Sequence, residues 1–426
     1  MNLRNGTLAK AGAHVDREQG VARIPPELVQ RAIAACPREM TLGGLTPEDD
    51  CPLREDTPHF LNSGSPTKIL DFRTGERRPS TSDDFREATI VVDAMPAASI
   101  VWAMVSCPDL PNERRTLAEL AIVLQHTRKH VQHEVEGRWQ VDAFLQMAEV
   151  AGGDLRERPR LSLVCCTASP LSAHTELLDA TTDLAAAGIP VAIMPMPIAG
   201  GTAPLTVAAT ATMSVAEFLG AATAVQLRAP GARLIMAPAA GVLDMRQTTF
   251  AFGALEAGLV SCVTVEVGHH LGLPCLAPSL STDAKYPGVQ AAYEKALKGL
   301  AVASARPGLM TGIGMLGSAG LASLPQIVID DEMAQMMLRI LDGAEISDDT
   351  LLVDAMERAG FAGNYLLDRE TRLRLRAGEM FMPAISDRQS YDHWQAAGKD
   401  ELATAVEKVD GILAAAHGEA SVTRPR

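Results

Sequence analysis

The chain has 426 residues, 47% apolar and 21% charged, the balance of a packed globular enzyme rather than a fibrous or disordered chain. Its net charge of -14 argues against nucleic acid and against an anionic membrane surface as partners. The seven cysteines are odd in number, scattered and mostly inside apolar runs, so they read as reduced core residues of a cytoplasmic protein.

Residues 1–60 are polar and helix-like, with Pro25-Pro26-Glu27 opening a helix at its first turn. The opening Met1-Asn2-Leu3-Arg4-Asn5 leads into no apolar signal-peptide core. Short apolar runs then recur at 100–105, 130–135, 161–167, 190–196, 233–238, 274–278 and 307–313, and each reads as a buried strand. Helical stretches lie between them at 113–125, 176–187, 214–228, 254–271 and 289–304. Several of these stop at a glycine: Gly188, Gly231 and Gly272 each stand just before the next strand. Such alternation predicts a parallel sheet, and seven countable strands favour an α/β (β/α)8 TIM-type barrel over an open sheet.

From 184 to 216 no residue is charged, a length that raises a membrane helix. Pro190, Pro195, Pro197 and Pro204, with Gly200-Gly201, break it into buried strand and loop. After residue 330 the character changes to charged amphipathic helices at 330–341, 348–358, 368–376 and 399–415. The expected organisation is an N-terminal helical segment (1–60), a barrel core (61–330) and a C-terminal helical appendage (331–426), integrated as one domain.

Several patterns carry chemistry. Ser281-Thr282-Asp283-Ala284-Lys285 follows the buried run 274–278, and charged groups leaving a strand's C-terminal end are where an α/β barrel keeps its chemistry. Lys285 reads as a Schiff-base nucleophile with Asp283 as proton partner, or as a loop-anchoring ion pair. Gly312-Ile313-Gly314-Met315-Leu316-Gly317 matches the dinucleotide fingerprint, but Pro325 interrupts the helix it needs. In a barrel Gly312 and Gly314 instead offer backbone to a ligand or cofactor. His126, His130 and His133 would make a metal-ligand face if helical; Thr127-Arg128-Lys129 suggests a helix passing into a strand, and no metal site is expected. Aromatics are only 4% of the chain, so Phe250, Phe252, Tyr286 and Tyr293 are weighed as a cage for a quaternary ammonium.

The block from Ser281 to Lys295, containing Gln290-Ala291-Ala292-Tyr293-Glu294-Lys295, resembles the trimethylamine–corrinoid methyltransferase family. So do Asp71-Phe72-Arg73-Thr74-Gly75-Glu76, Ser169-Pro170-Leu171, Met196-Pro197-Ile198-Ala199-Gly200-Gly201, Leu243-Asp244-Met245-Arg246 and Gln326-Ile327-Val328-Ile329-Asp330-Asp331-Glu332. The resemblance implies a barrel enzyme that passes a methyl group from an amine to the Co(I) of a separate corrinoid (cobalamin) protein. Trimethylamine-specific members carry pyrrolysine at the position matching Ser281, so this chain resembles the non-pyrrolysine, glycine betaine methyltransferase-like branch. A quaternary ammonium needs no activation, because it leaves as a neutral amine.

By that resemblance Ser281, Asp283 and Lys285 carry catalysis, and Glu256, Phe252, Gln290, Tyr293 and Arg246 line the substrate pocket. A substrate carboxylate would pair with Lys285 or Arg246, and Asp283 and Glu256 would balance the ammonium. The partners implied are a corrinoid protein and a small methylated amine, with a homo-oligomer left open. Thr311 and Pro325 depart from the family pattern. The alternatives are transfer to tetrahydrofolate, a lysine-dependent lyase or aldolase, and a non-catalytic amine-binding relative.

Overall fold

The computed structural model describes residues 6–54, 58–152 and 154–422. Its centre is a ring of parallel strands: β1 (His59–Asn62), β2 (Ala98–Trp102), β3 (His130–Glu134), β4 (Leu161–Cys166), β5 (Val191–Met194), β6 (Leu234–Met236), β7 (Leu276–Pro278) and β8 (Leu309–Ile313). They pair in the order β6-β5-β4-β3-β2-β1-β8-β7, and a parallel bridge from Met236 to Cys275 closes the ring. The Met236 amide secures the closure by donating to the Pro274 carbonyl at 2.9 Å. The TIM-type barrel is therefore present, closed by eight strands.

Outside the strands lie α1 (Ser82–Asp93), α2 (Arg115–His126), α3 (Val141–Ala151), α4 (Thr175–Ala187), α5 (Val207–Arg228), α6 (Leu255–Leu271), α7 (Val289–Ser304) and α8 (Leu324–Asp342). Local chemistry sets their ends. Thr81 and Asp84 form a reciprocal capping box at the start of α1, and Gly188 and Gly272 end α4 and α6 in the left-handed conformation. Most of the strands are apolar on both faces because barrel interior and helix layer both cover them; β3, His130–Glu134, is the polar exception. Phe60, Phe85, Phe144 and Phe218 are wholly buried, each contributing about 1.5–3 kcal/mol by leaving water.

The structure sharpens several sequence readings. The eighth strand is β1, only four residues long and ending in the polar run Asn62-Ser63-Gly64-Ser65; it becomes a strand by pairing with β2 and β8. Residues 6–54 hold the helix Pro26–Ala34 and two hairpins, so this stretch is not purely helical. The expected boundary at residue 60 falls inside β1, and that at 330 falls inside α8. Pro325 does not interrupt a helix: it occupies the first turn of α8, behind the N-cap Ser323. His126 ends α2 while His130 and His133 sit in β3, so the three histidines share no helical face.

Among the described residues no group of three His, Cys, Asp or Glu is placed to hold a metal ion. Helix α5 is long and apolar enough to cross a membrane, yet here it packs against α4, α6 and the helix Pro26–Ala34. The C-terminal helix Glu401–Val422 lies along α8 and α1.

Candidate functional site at the barrel mouth

Strand alternation decides what faces the barrel interior. In β3 the His133 ring turns outward, its Nε2–H donating to the Thr116 carbonyl of α2 at 3.0 Å, and lies 6.1 Å from the Phe144 ring of α3. Gln132 and Glu134 therefore face inward. His130 shares that face at the opposite end, where its ring meets the Gly43 carbonyl and the Ser162 hydroxyl. Trp102 of β2 stands in register with Gln132. The loop after β1 lies flat on the indole, because Gly64 has no side chain; a Cβ there would overlap the ring.

Glu134 ends β3 at the mouth, partly exposed, with a long 3.4 Å hydrogen bond from the Ser65 hydroxyl. Burial pushes its carboxyl up to about 6; Glu119 and Glu136 add to the rise, while Ser65 and the Trp102 indole oppose it. The indole N–H lies beside this carboxylate without closing a hydrogen bond, and both ends of the wholly buried Gln132 amide are also unpaired within the protein. Burial raises Glu119 as well, although it accepts the Cys107 amide at 2.7 Å. Cys166, at the end of β4, has its thiol pushed up to about 12 by burial and by Glu134, so it stays neutral. Glu217 of α5 reaches the adjoining loop, accepting from Thr167, Ser169 and the Leu171 amide.

The loops after β6, β7 and β8 are built differently. The Asp283 carboxylate accepts from the Phe252 and Gly253 amides at 2.8 and 3.0 Å and from the Ser318 hydroxyl at 2.6 Å. Ser281 is wholly buried, and the Lys298 ammonium donates to its hydroxyl and to the Phe252 carbonyl. Lys298 also lies 4.7 Å from the centre of the Phe252 ring, which in turn sits 5.3 Å from Phe250. Burial pushes Lys298 down to about 7, helped by Lys295 and opposed by Asp283 and Glu294. One helical turn earlier Lys295 pairs with Asp330 at 2.6 Å, both wholly buried. Burial moves each toward its neutral form, and their mutual attraction opposes that shift.

The expected site residues thus separate. Ser281, Asp283 and Phe252 come together, but as a network inside the protein. Lys285 is exposed, its ammonium donating to the Asp283 carbonyl. Gln290 and Tyr293 are exposed on α7, Gln290 bonding Glu294 at 2.8 Å. Glu256 is exposed in the first turn of α6. Arg246 is 87% exposed and faces Asp244. The aromatic cage does not assemble: Phe252 already holds Lys298, and Tyr286 and Tyr293 face solvent. Gly312 and Gly314 have positive φ and are buried; a Cβ would come within 2.5 Å of the Leu280 backbone or of the Ile327 side chain. The Gly314 amide is taken by Asp330 and the Gly312 carbonyl by Lys295, so these glycines serve packing.

Sequence reasoning missed Trp102, Gln132, Glu134 and Lys298. One signal was present: Gln132 and Glu134 alternate at the end of the strand-like run 130–135, so both fall on one face. A cavity of about 390 Å³ also opens among Arg38, Arg54, His270 and Gly308, but at the N-terminal ends of β7 and β8, away from where barrels keep chemistry.

A closed eight-stranded barrel with desolvated carboxylate and amide groups at its C-terminal mouth defines a barrel enzyme for a small polar molecule. The chain belongs to the trimethylamine methyltransferase (MTTB) family, whose profile matches residues 4–420, and it is a methyltransferase. It is 32% identical over 409 residues to trimethylamine methyltransferase MttB of Desulfitobacterium hafniense, covering 95% of this chain and 82% of that one. It is 26% identical over 389 residues to the glycine betaine methyltransferase of Desulfitobacterium hafniense strain Y51, covering 89% and 79%. In fold it is similar to the monomethylamine methyltransferase MtmB of Methanosarcina barkeri, with a TM-score of 0.54 and 12% identity over 96% of this chain and 86% of that one.

Proposed function

We propose that this enzyme moves a methyl group from a quaternary or methylated amine to the Co(I) of a corrinoid carried by a separate protein. The observation that carries the reading is Glu134: a desolvated carboxylate at the end of a barrel strand, beside an indole, suited to an alkylated ammonium. The corrinoid is treated as the methyl acceptor and not as a resident group, since the glycines expected to meet it are buried and engaged.

In such a transfer the C–N bond breaks, the electron pair stays on nitrogen, and the amine leaves neutral while the methyl group passes to cobalt. The chain's part is to bind the ammonium, exclude water and aim one methyl group out of the mouth. Positive charge leaves the nitrogen as the bond breaks, so Glu134 favours the bound substrate over the transition state. Its contribution is affinity, and rate must come from positioning. Ser281, matching the pyrrolysine position by resemblance, is held by Lys298 inside the loop network, which supports a reading in which quaternary amines need no such group.

Reconstitution with a Co(I) corrinoid protein tests this, following the cobalt absorbance as quaternary amines and trimethylamine are added in turn. Methylation from a quaternary amine is expected. Turnover of trimethylamine and of no quaternary amine would overturn the quaternary reading.

A further inference from the structure

The polar groups at the floor of the mouth narrow the substrate beyond its methylated nitrogen, an inference that rests on the reading above. Gln132 lies two residues deeper in β3 than Glu134, about 6–7 Å at the usual strand rise. Both ends of its amide and the neighbouring Trp102 indole N–H are unpaired, although Gln132 is wholly buried and Trp102 only 6% exposed. Such groups rarely stay unpaired in a working protein, because each forfeits the hydrogen bond it had in water. Ser162, on the other side of Gln132, does not relieve it, since its hydroxyl meets His130 at 2.8 Å.

Charge decides what this deep subsite accepts. Glu134 is surrounded by further negative charge from Glu119 and Glu136. The cations expected to receive a substrate carboxylate lie elsewhere: Arg246 faces Asp244 in solvent, and Lys285 is exposed against the Asp283 carbonyl. Arg115, near Glu119, turns its guanidinium to the Cys107 carbonyl and to Asn112.

We propose that the mouth takes a monocation, a quaternary ammonium whose arm ends in a neutral group that both donates and accepts, such as a hydroxyl, in preference to a zwitterion ending in carboxylate. The ammonium sits at Glu134. The arm points down the barrel, where a hydroxyl accepts from the Trp102 indole and donates to the Gln132 amide oxygen. The remaining methyl groups point up to the acceptor. A carboxylate there leaves the amide oxygen unpaired and adds negative charge beside three glutamates.

The test is calorimetric titration of the full-length protein with choline, glycine betaine and tetramethylammonium, repeated on Gln132→Leu. Choline is expected to bind at least about tenfold more tightly than the other two, the scale of one good hydrogen bond. In Gln132→Leu it should fall to the level of tetramethylammonium, whose own affinity stays the same. Glycine betaine binding as tightly as choline would overturn the inference and leave the methylated-amine reading intact. Choline binding unchanged in Gln132→Leu overturns the role of the amide. No binding of any quaternary amine overturns both readings. Should Gln132→Leu fail to fold by circular dichroism, the ranking on the native protein decides alone.

Discussion

The two sides of the barrel mouth handle buried polarity in opposite ways. On the β7–β8 side the buried charges have close partners: Lys295 with Asp330, Lys298 with Ser281 and the Phe252 carbonyl, Asp283 with two amides and a hydroxyl. On the β2–β3 side the Trp102 indole and the Gln132 amide close no hydrogen bond among the described residues, and Glu134 has a long contact from Ser65. A satisfied network holds loops in place; an unsatisfied one keeps its hydrogen-bonding capacity for something outside the chain. The loops after β6 to β8 thus form the scaffold side, while the groups free to meet a ligand lie across the mouth.

The largest expected effect breaks the satisfied side. Lys295→Met leaves Asp330 buried without its cation and should cost about 3–5 kcal/mol, read as a lower midpoint in urea denaturation. The unsatisfied side should respond in binding and not in folding. Glu134→Gln is expected to weaken quaternary-amine binding by about 2 kcal/mol, roughly 30-fold, and to raise KM with little loss of kcat. A fall in kcat with KM unchanged would place the residue in the chemical step instead.

The same variant should leave the fold intact or slightly firmer. In the folded chain Glu134 titrates near 6, above its reference of 4.5, so its ionised form opposes folding at neutral pH. Neutralising it should therefore gain up to about 2 kcal/mol in denaturation at pH 7. The pH dependence of binding follows with the opposite sign. A cation needs the ionised carboxylate, so affinity is full above about pH 7 and falls as pH drops through about 6. Glu119, whose carboxyl burial also raises, lies close by, whereas burial keeps the Cys166 thiol neutral throughout. Titrating ligand at a series of pH values, with Glu134→Gln as control, should show the decline in the native protein and a flat profile in the variant.

The smallest effect is expected at Lys285, exposed and donating to a nearby carbonyl. Lys285→Ala should change stability by less than about 0.5 kcal/mol and turnover by less than about twofold. Borohydride trapping of a substrate on Lys285 would contradict that placement.

The local record was good for regular structure and poor for partners. Short strand-like runs and the glycines at 188 and 272 marked seven strands and several helix ends, because both depend on neighbours in sequence. The strand His59–Asn62 was not legible, since four residues carry too little pattern and its pairing partners lie at Ala98 to Ile100 and at Leu309 to Ile313. Lys295 and Lys298 were hidden for a related reason: lysine on a helix reads as surface, and only the packing of α7 against the loops after β6 to β8 buries them.

By itself the sequence determined the alternation of strand and helix, the barrel it implies, and the resemblance that led to a methyltransferase. Those rest on periodicity and on short stretches of chain, where each residue's environment follows from its position along one element. Only the tertiary structure decided which charges are spent on the fold and which remain available. Hydrogen-bond satisfaction depends on groups far apart along the chain, such as Asp283 against Phe252 or Ser65 against Glu134, which meet only when the ring of strands closes.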